Sequence, residues 1–178
     1  MRGKFGPVLG SLVFFVVAPG TVAGWVPYIL SRWRLESPFF AAPASRIVGG
    51  VLIVLGVGAL VHCFARFALE GRGTPAPVAP TETLVVSGLY RYVRNPMYVA
   101  VVSIIVGQSL LLGNSSLLGY AAIVWLAFHV FVLAYEEPTM RRTHGESYAA
   151  YQANVRRWLP RMTPWEGAPS SVDERTTL

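Results

Sequence analysis

Residues 95–135 read NPMYVAVVSIIVGQSLLLGNSSLLGYAAIVWLAFHVFVLAY and contain no Asp, Glu, Lys or Arg. A helix needs roughly 20 apolar residues to cross a bilayer, so this stretch is long enough for two crossings. The polar residues 113–116, GNSS, supply a turn between them. Residues 5–31 and 47–65 are also free of charge. We therefore expect an all-α integral membrane protein with about four transmembrane helices, because open sheet edges are not tolerated in lipid.

The composition of the chain supports a membrane location. The 178 residues are 53% hydrophobic and 13% charged, with a mean hydropathy of +0.48, whereas a soluble domain carries about twice that charged fraction. A signal peptide is the alternative for the first apolar run, but the run is too long and lacks a clean cleavage site. The single cysteine, Cys63, excludes an intramolecular disulfide and disfavours a cysteine-rich metal site.

The basic residues predict the orientation of the chain. The net charge is +6, and most of the basic residues flank the last two apolar runs. Under the positive-inside rule, the loop 72–94, the tail after Tyr135 and the N-terminus are expected to be cytoplasmic. Arg32, Arg34 and Arg46 would then face outward, which conflicts with the rule. Residues 19–20 could instead break the first span into a re-entrant hairpin, so the topology of that span stays open. Anionic headgroups explain the basic charge better than nucleic acid does.

These patterns predict three regions. Residues 1–70 hold two transmembrane spans, and the second span carries glycines that permit close helix contact, at positions 49, 50, 56 and 58. Residues 71–165 form the core of the protein: a loop, two transmembrane helices and a C-terminal interfacial helix around residues 148–155, anchored by Trp158 and Leu159. Residues 166–178 are polar and are expected to be disordered.

Two acidic residues, Glu136 and Glu137, come directly after the last apolar run. Carboxylates are costly within a membrane and oppose the dipole at the end of a helix, which favours a binding role for one of them. A carboxylate can accept hydrogen bonds from both hydroxyls of a ribose. Glu136 lies seven residues after His129, so the two fall on nearly the same helix face. His129 and Gln108 are otherwise typical of hydrogen bonds between membrane helices.

Arg94, Asn95 and Pro96 stand at the start of the third span. Asn95 is a favourable N-cap and Pro96 suits the first helical position. The backbone N–H groups at such a helix start can bind an anion. A basic loop, a helix N-terminus and a carboxylate pair are therefore expected to meet at the cytoplasmic membrane edge. The residues alone leave enzyme and non-enzyme functions open, and they show no metal-ligand cluster, P-loop, nucleophile elbow or dinucleotide glycine fingerprint.

Residues 73–160 resemble the superfamily of isoprenylcysteine carboxyl methyltransferases and phospholipid methyltransferases. The matching segments are TLV at 83–85, SGLY at 87–90, RNPMY at 94–98, EE at 136–137, GESY at 145–148 and WLP at 158–160. The resemblance implies a bacterial member with a cytoplasmic cofactor pocket for S-adenosylmethionine, closed by the C-terminal segment. It also implies an acceptor that enters sideways from the membrane, either a hydrophobic small molecule or a prenylated one.

The resemblance also implies which residues form the site. Arg94 and Glu136 are the expected catalytic residues, and no metal is expected. The expected cofactor-binding residues are Glu82, Thr83, Leu84, Val85, Tyr90, Asn95, Pro96, Met97, Tyr98, Glu136 and Glu137.

Two positions depart from the eukaryotic members of the superfamily. Asn95 stands where they have a histidine, and Val132 stands where they have an arginine associated with the substrate carboxylate. The acceptor is therefore either an isoprenylcysteine-type carboxylate, with Arg94 as the substitute arginine, or a phospholipid amine. An amine must lose a proton before attack, and His129 or a cofactor-side carboxylate is the candidate acceptor of that proton.

Two other functions remain open on the sequence. One is an NADPH-dependent membrane reductase of the sterol reductase kind, since such enzymes resemble the same C-terminal region. The other is a non-enzymatic membrane scaffold or a small transporter. In each case we expect a protein of the bacterial inner membrane, with the site and the C-terminus cytoplasmic. Membrane lipids are the expected partners, with no nucleic acid and no obligate protein partner.

Overall fold

The structure is a computed structural model that describes residues 17–39, 42–70 and 84–167. All regular elements in these ranges are helical, which confirms the predicted all-α class for the part of the chain described. A π-helical turn, Thr21–Trp25, leads into α1 (Val26–Ser31), and a 3-10 turn spans Gly88–Arg91. The longer helices are α2 (Ala44–Glu70), α3 (Pro96–Leu112), α4 (Ser115–Phe131) and, after a second π-helical turn at Val132–Glu136, α5 (Glu137–Asn154).

Two helical stretches are long and apolar enough to cross a membrane, Ala44–Arg66 in α2 and the continuous run Ser115–Asn154. The apolar helix α3 is shorter, at 17 residues. The part of the predicted first span before residue 17 lies outside the described residues. The number of four spans therefore stays a prediction.

The outward faces of α2 and α4 are apolar. Ile47 and Val54 on α2 are each 70% exposed, and Ile123 on α4 is 69% exposed. Large exposed apolar surfaces on soluble proteins are rare and mark interaction or membrane sites. These faces are therefore suited to contact with lipid chains.

The close contact between α2 and α3 depends on glycine. A Cβ atom on Gly49 would lie 2.6 Å from the carbonyl oxygen of Gly107, and one on Gly56 would lie 2.7 Å from Cγ1 of Ile104. The predicted role of the span-two glycines is thus confirmed for Gly49 and Gly56. At Gly50 and Gly58 an added Cβ meets no described atom within 4 Å.

The turn between α3 and α4 lies where the sequence predicts it. Gly113 ends α3 in the left-handed conformation, with a φ of 76°. The side chain of Asn114 then accepts a hydrogen bond from the N–H of Leu117, 3.3 Å away, as the N-cap of α4. Its Nδ2 also donates to Oε1 of Glu36 at 2.7 Å, which ties the preceding loop to this turn.

The last apolar helix does not end at Glu136 and Glu137. The N–H of Glu137 bonds to the carbonyl of Val132, five residues earlier, and α5 follows without interruption. This wider turn carries the chain past Pro138, which has no N–H to donate. The prediction of a helix terminus at the carboxylates was therefore wrong, and the dipole argument built on it does not apply.

The chain changes direction twice near its C-terminus. Gly145 interrupts α5 with a φ of 49° and a ψ of −122°, and the helix ends at Asn154. Residues 155–165, called here the closing segment, form no regular helix. The segment returns to residues 91–95 at the start of α3.

Candidate functional site

A cavity of about 50 Å³ lies between the segment 84–95 and the helical run through the π-helical turn into α5. The 3-10 turn supplies one wall, and the first residues before α3 supply another. Its lining includes apolar, aromatic and charged side chains: Leu84, Val85, Tyr90, Arg94, Asn95, Val132, Glu136, Glu137, Met140, Tyr148 and Tyr151.

Glu136 is held in the cavity wall by a single tyrosine. The hydroxyl of Tyr98 donates to its Oε2 at 2.9 Å. Tyr98 is in turn stacked on Phe128, with ring centroids 4.5 Å apart. Among the described residues, no basic group lies within ion-pair distance of Glu136. One oxygen of this carboxylate therefore keeps its capacity to accept hydrogen bonds from a ligand.

Glu137 has a different environment although it is the next residue. It is 5% exposed and accepts bonds from Nε and Nη2 of Arg157, at 2.6 and 3.0 Å. Gln152 donates to it at 3.0 Å, and Nη1 of Arg94 lies 3.2 Å away. The hydrogen bond to Glu137 raises the pKa of Arg157 above its ordinary value. This carboxylate therefore joins three parts of the chain.

Arg94 lines the cavity with a side chain that is 10% exposed. It is paired with Glu137 rather than directed at Glu136. Its backbone N–H donates to the carbonyl of Arg156 at 2.9 Å. Side chain and main chain of Arg94 therefore both contribute to the junction between the start of α3 and the closing segment.

Asn95 occupies the N-cap position of α3 without capping it through its side chain. Its Nδ2 donates instead to the carbonyl of Arg157, 3.2 Å away. The prediction that α3 begins at Pro96 is confirmed, but the expected Asn95 cap is wrong, because the side chain is used to hold the closing segment. The first N–H groups of a helix have no intrahelical acceptor, so those after Pro96 remain candidates for an anion.

The sequence profile of the phospholipid methyltransferase family matches residues 44–147, more than half of the chain. The chain belongs to the phospholipid methyltransferase family. No curated protein and no solved structure matches it. The profile covers α2, α3, α4 and most of α5, so the cavity is built almost wholly from the matched region. Membership in this family, together with the two apolar helical stretches, indicates a methyltransferase associated with a membrane.

The chemistry of this lining suits S-adenosylmethionine, the methyl donor typical of phospholipid methyltransferases. Glu136 offers a hydrogen-bond acceptor for ribose hydroxyls, and the start of α3 offers N–H groups for a carboxylate. Tyrosine and aliphatic side chains provide apolar walls for a purine. The volume of about 50 Å³ is well below the roughly 300 Å³ of typical small-molecule sites. Binding of a nucleoside would therefore require the cavity walls to separate.

Seven of the residues predicted for the site do line the cavity. Tyr98 does not line it but holds Glu136, and Pro96 and Met97 continue the helix behind Asn95. Glu82 and Thr83 lie outside the described residues. The seven lining residues are Leu84, Val85, Tyr90, Arg94, Asn95, Glu136 and Glu137.

Three tyrosines form a part of the cavity that the sequence only partly indicated. The hydroxyl of Tyr151 donates to the carbonyl of Tyr90 at 2.7 Å, and the rings of Tyr148 and Tyr151 meet edge to face. Burial raises the pKa of Tyr90 well above its ordinary value, so this phenol stays neutral beside Cys63. The three-residue spacing of Tyr148 and Tyr151 was interpreted as an interfacial helix face, whereas both side chains point inward.

His129 lies outside this cavity lining. Its Nδ1 accepts a hydrogen bond from the indole N–H of Trp158 at 3.1 Å, and its ring stacks on Trp125. Gln108 donates to the carbonyl of Ala23 at 2.6 Å. Gln108 therefore makes a hydrogen bond between helical segments, as predicted, whereas the partner of His129 lies in the closing segment and not in a helix. Of the candidate proton acceptors, the carboxylates Glu136 and Glu137 line the cavity and His129 does not.

Proposed function

We propose that this protein transfers a methyl group from S-adenosylmethionine to the amine of a membrane phospholipid. The observation that carries the proposal is the arrangement of Glu136, which lines the cavity, is held by Tyr98 and has no basic partner among the described residues. Its neighbour Glu137 is fully engaged by Arg157, Gln152 and Arg94. Of the two adjacent acids, Glu136 is therefore the one available to a ligand.

The amine is favoured over a carboxylate acceptor by the charges around the cavity. Val132, at the position where the related carboxyl methyltransferases have an arginine, is apolar and 1% exposed. Arg94, the candidate substitute, is paired with Glu137 at 3.2 Å. The described lining holds two carboxylates, Glu136 and Glu137, against the single guanidinium of Arg94. This balance of charge favours an amine acceptor over a carboxylate.

S-adenosylmethionine supplies an electrophilic methyl group bound to a positively charged sulfur. The chain itself has to align donor and acceptor and exclude water, which can account for much of a rate enhancement. Glu136 would hold the ribose hydroxyls or receive the proton that the amine loses. The closing segment would exclude water from the side of α3, because it is bonded to residues 91–95.

The first test measures equilibrium binding of radiolabelled S-adenosylmethionine to the detergent-purified full chain. Wild type should bind saturably, and Glu136→Gln should weaken binding at least about tenfold, the effect of losing a hydrogen bond to a charged group. Glu146→Gln is the matched control, since Glu146 is exposed and outside the cavity lining. Its affinity should equal that of wild type.

The second test identifies the acceptor. Membranes containing the protein are incubated with methyl-labelled S-adenosylmethionine, and the extracted lipid is treated with alkali. Label on a phospholipid amine survives this treatment, whereas a methyl ester releases it. Loss of the label in alkali would refute the assignment of an amine as the methyl acceptor. Saturable binding of NADPH, without binding of S-adenosylmethionine, would refute the methyltransferase proposal and support the reductase.

A further inference from the structure

Arg94 lines a groove as well as the cavity that contains Glu136. This groove has a volume of about 620 Å³, within the usual range for sites that hold small molecules. Two further arginines line it, Arg156 and Arg161, together with polar groups such as Gln152 and Thr163. Its described lining contains no carboxylate, so the groove is positively charged.

Two guanidinium groups at the groove have donors without a described hydrogen-bond acceptor. Nε and Nη1 of Arg94 and Nη1 of Arg161 are buried and find no hydrogen-bond acceptor among the described residues. The Arg94 side chain is nine-tenths buried, and its Nη1 approaches Glu137 at 3.2 Å without the geometry of a hydrogen bond. Buried donors without acceptors are costly. An anion in the groove would satisfy them once the two side chains turn toward it.

Glu137 does not neutralise this cluster. The same carboxylate is within ion-pair distance of Arg94, Arg141 and Arg157, so three positive charges share one negative charge. Arg156 and Arg161 add two more positive charges at the groove. The excess positive charge and the planar donor arrays of arginine match a phosphate group, which accepts several hydrogen bonds at once.

The surroundings of the groove indicate that the phosphate comes from a lipid. Met162 lines the groove and is 99% exposed. Leu159, next to the lining residue Pro160, is 65% exposed. Exposed apolar side chains beside arginines are typical of segments that lie at the membrane surface, with the apolar groups among acyl chains and the charges at the headgroups.

We propose that the groove formed by Arg94, Arg156 and Arg161 binds the phosphate of an anionic membrane phospholipid. The proposal does not depend on methyl transfer, because the groove and its unused donors exist whatever the cavity binds. A lipid held there would anchor the closing segment to the membrane surface next to the cofactor cavity. Arg94, which lines both concavities, would contact the lipid phosphate and Glu137 together.

The test measures the dissociation constant of dioctanoyl phosphatidylglycerol for the detergent-purified full chain, without S-adenosylmethionine. The double variant Arg156→Gln/Arg161→Gln should bind at least about tenfold more weakly, because it loses two charge-assisted contacts. The double variant Arg156→Lys/Arg161→Lys keeps the charge without the planar guanidinium and should recover part of the affinity. Arg142→Gln, an exposed arginine outside the groove lining, is the matched control and should bind as wild type does.

Two further ligands separate the sources of the phosphate. Dioctanoylglycerol, which lacks the phosphate, and inorganic phosphate, which lacks the chains, should both bind far more weakly. Wild-type affinity in the double glutamine variant, or equal binding of dioctanoylglycerol, would overturn the proposal. Equal binding of inorganic phosphate would overturn the assignment to a lipid. If the double variant melts at a lower temperature, the two single variants replace it, and unchanged affinity in both is the contradicting result.

Discussion

Replacing Glu137 with glutamine should destabilise the fold far more than the same change at Glu136. Glu137 is 5% exposed and accepts hydrogen bonds from Arg157 and Gln152, with Arg94 nearby. Glutamine keeps the shape of the side chain but removes the negative charge that compensates Arg94, Arg141 and Arg157. Glu136 has one described partner, the neutral hydroxyl of Tyr98, to which glutamine can still offer an oxygen.

The magnitudes follow from burial. Removing one partner of a buried ion pair costs about 3–5 kcal/mol. The lower end applies here, because the Arg157 side chain is 27% exposed and water can solvate part of it. A loss of about 3 kcal/mol lowers the melting temperature of a chain of this size by roughly 6–12 °C. Weakening the Tyr98 bond at Glu136 costs at most about 1 kcal/mol, or roughly 2–4 °C.

Thermal unfolding of both variants in one detergent, followed by tryptophan fluorescence, measures the difference. Glu137→Gln should melt well below Glu136→Gln, whereas Glu136→Gln should be the variant that loses S-adenosylmethionine. In a double-mutant cycle, Arg157→Gln should add little to Glu137→Gln, because both remove one contact. Equal melting temperatures for the two glutamate variants, or additive effects in the cycle, would refute this division of roles.

Two further predictions concern the packing of the helices. Gly49→Val should destabilise the protein by several kcal/mol, because a Cβ there would lie 2.6 Å from the carbonyl oxygen of Gly107 and overpacking of a tight contact costs about 1–3 kcal/mol or more. Gly58→Val, at a position with open space, is the control and should change the melting temperature little. Equal shifts in melting temperature for the two variants would contradict the contact. Asn114→Ala should cost about 1–2 kcal/mol by thermal unfolding, because it removes the N-cap of α4. Asn114→Ser should restore most of that loss. A serine variant as unstable as the alanine variant would show that the bond to Glu36 is the larger contribution.

The parts of the fold that depend on neighbouring residues could be predicted from the sequence. The turn at residues 113–116 follows from glycine and asparagine between two apolar runs, and the start of α3 follows from Pro96. A close contact of α2 with another helix was predicted from its glycines, but that the partner is α3 was not. Which glycines face α3 was not predicted, because that depends on how the helix is rotated toward Gly107.

The continuation of the helix past Pro138 was not predicted. Proline usually marks a boundary, but a single π-helical turn at Val132–Glu136 absorbs it. The same arrangement occurs at the N-terminal end of the described structure, where the π-helical turn Thr21–Trp25 precedes Pro27 in α1. In each case the proline follows the last residue of the π-helical turn by two positions, a spacing that is a usable signal in other sequences.

The different roles of Glu136 and Glu137 could not be predicted from their positions. Two adjacent acids are equivalent in a sequence, and their roles differ only because of partners far along the chain. Arg157 is 20 residues from Glu137, and Tyr98 is 38 residues from Glu136. The side chain of Asn95 was mistaken for a cap for the same reason, since its acceptor is the carbonyl of Arg157, 62 residues away.

The closing segment is joined to the start of α3 largely through the main chain. The backbone N–H of Arg94 donates to the carbonyl of Arg156, and the N–H of Arg161 donates to the carbonyl of Tyr92, both at 2.9 Å. The N–H of Trp165 donates to the carbonyl of Arg91 at 3.0 Å. Such bonds depend on backbone position and not on the identity of the side chains. Substitutions at positions 156 and 161, which make these bonds through the main chain, should therefore preserve the closure, whereas insertions or deletions should abolish it. For the design of chimeras, the length between α5 and Trp165 is the quantity to keep constant.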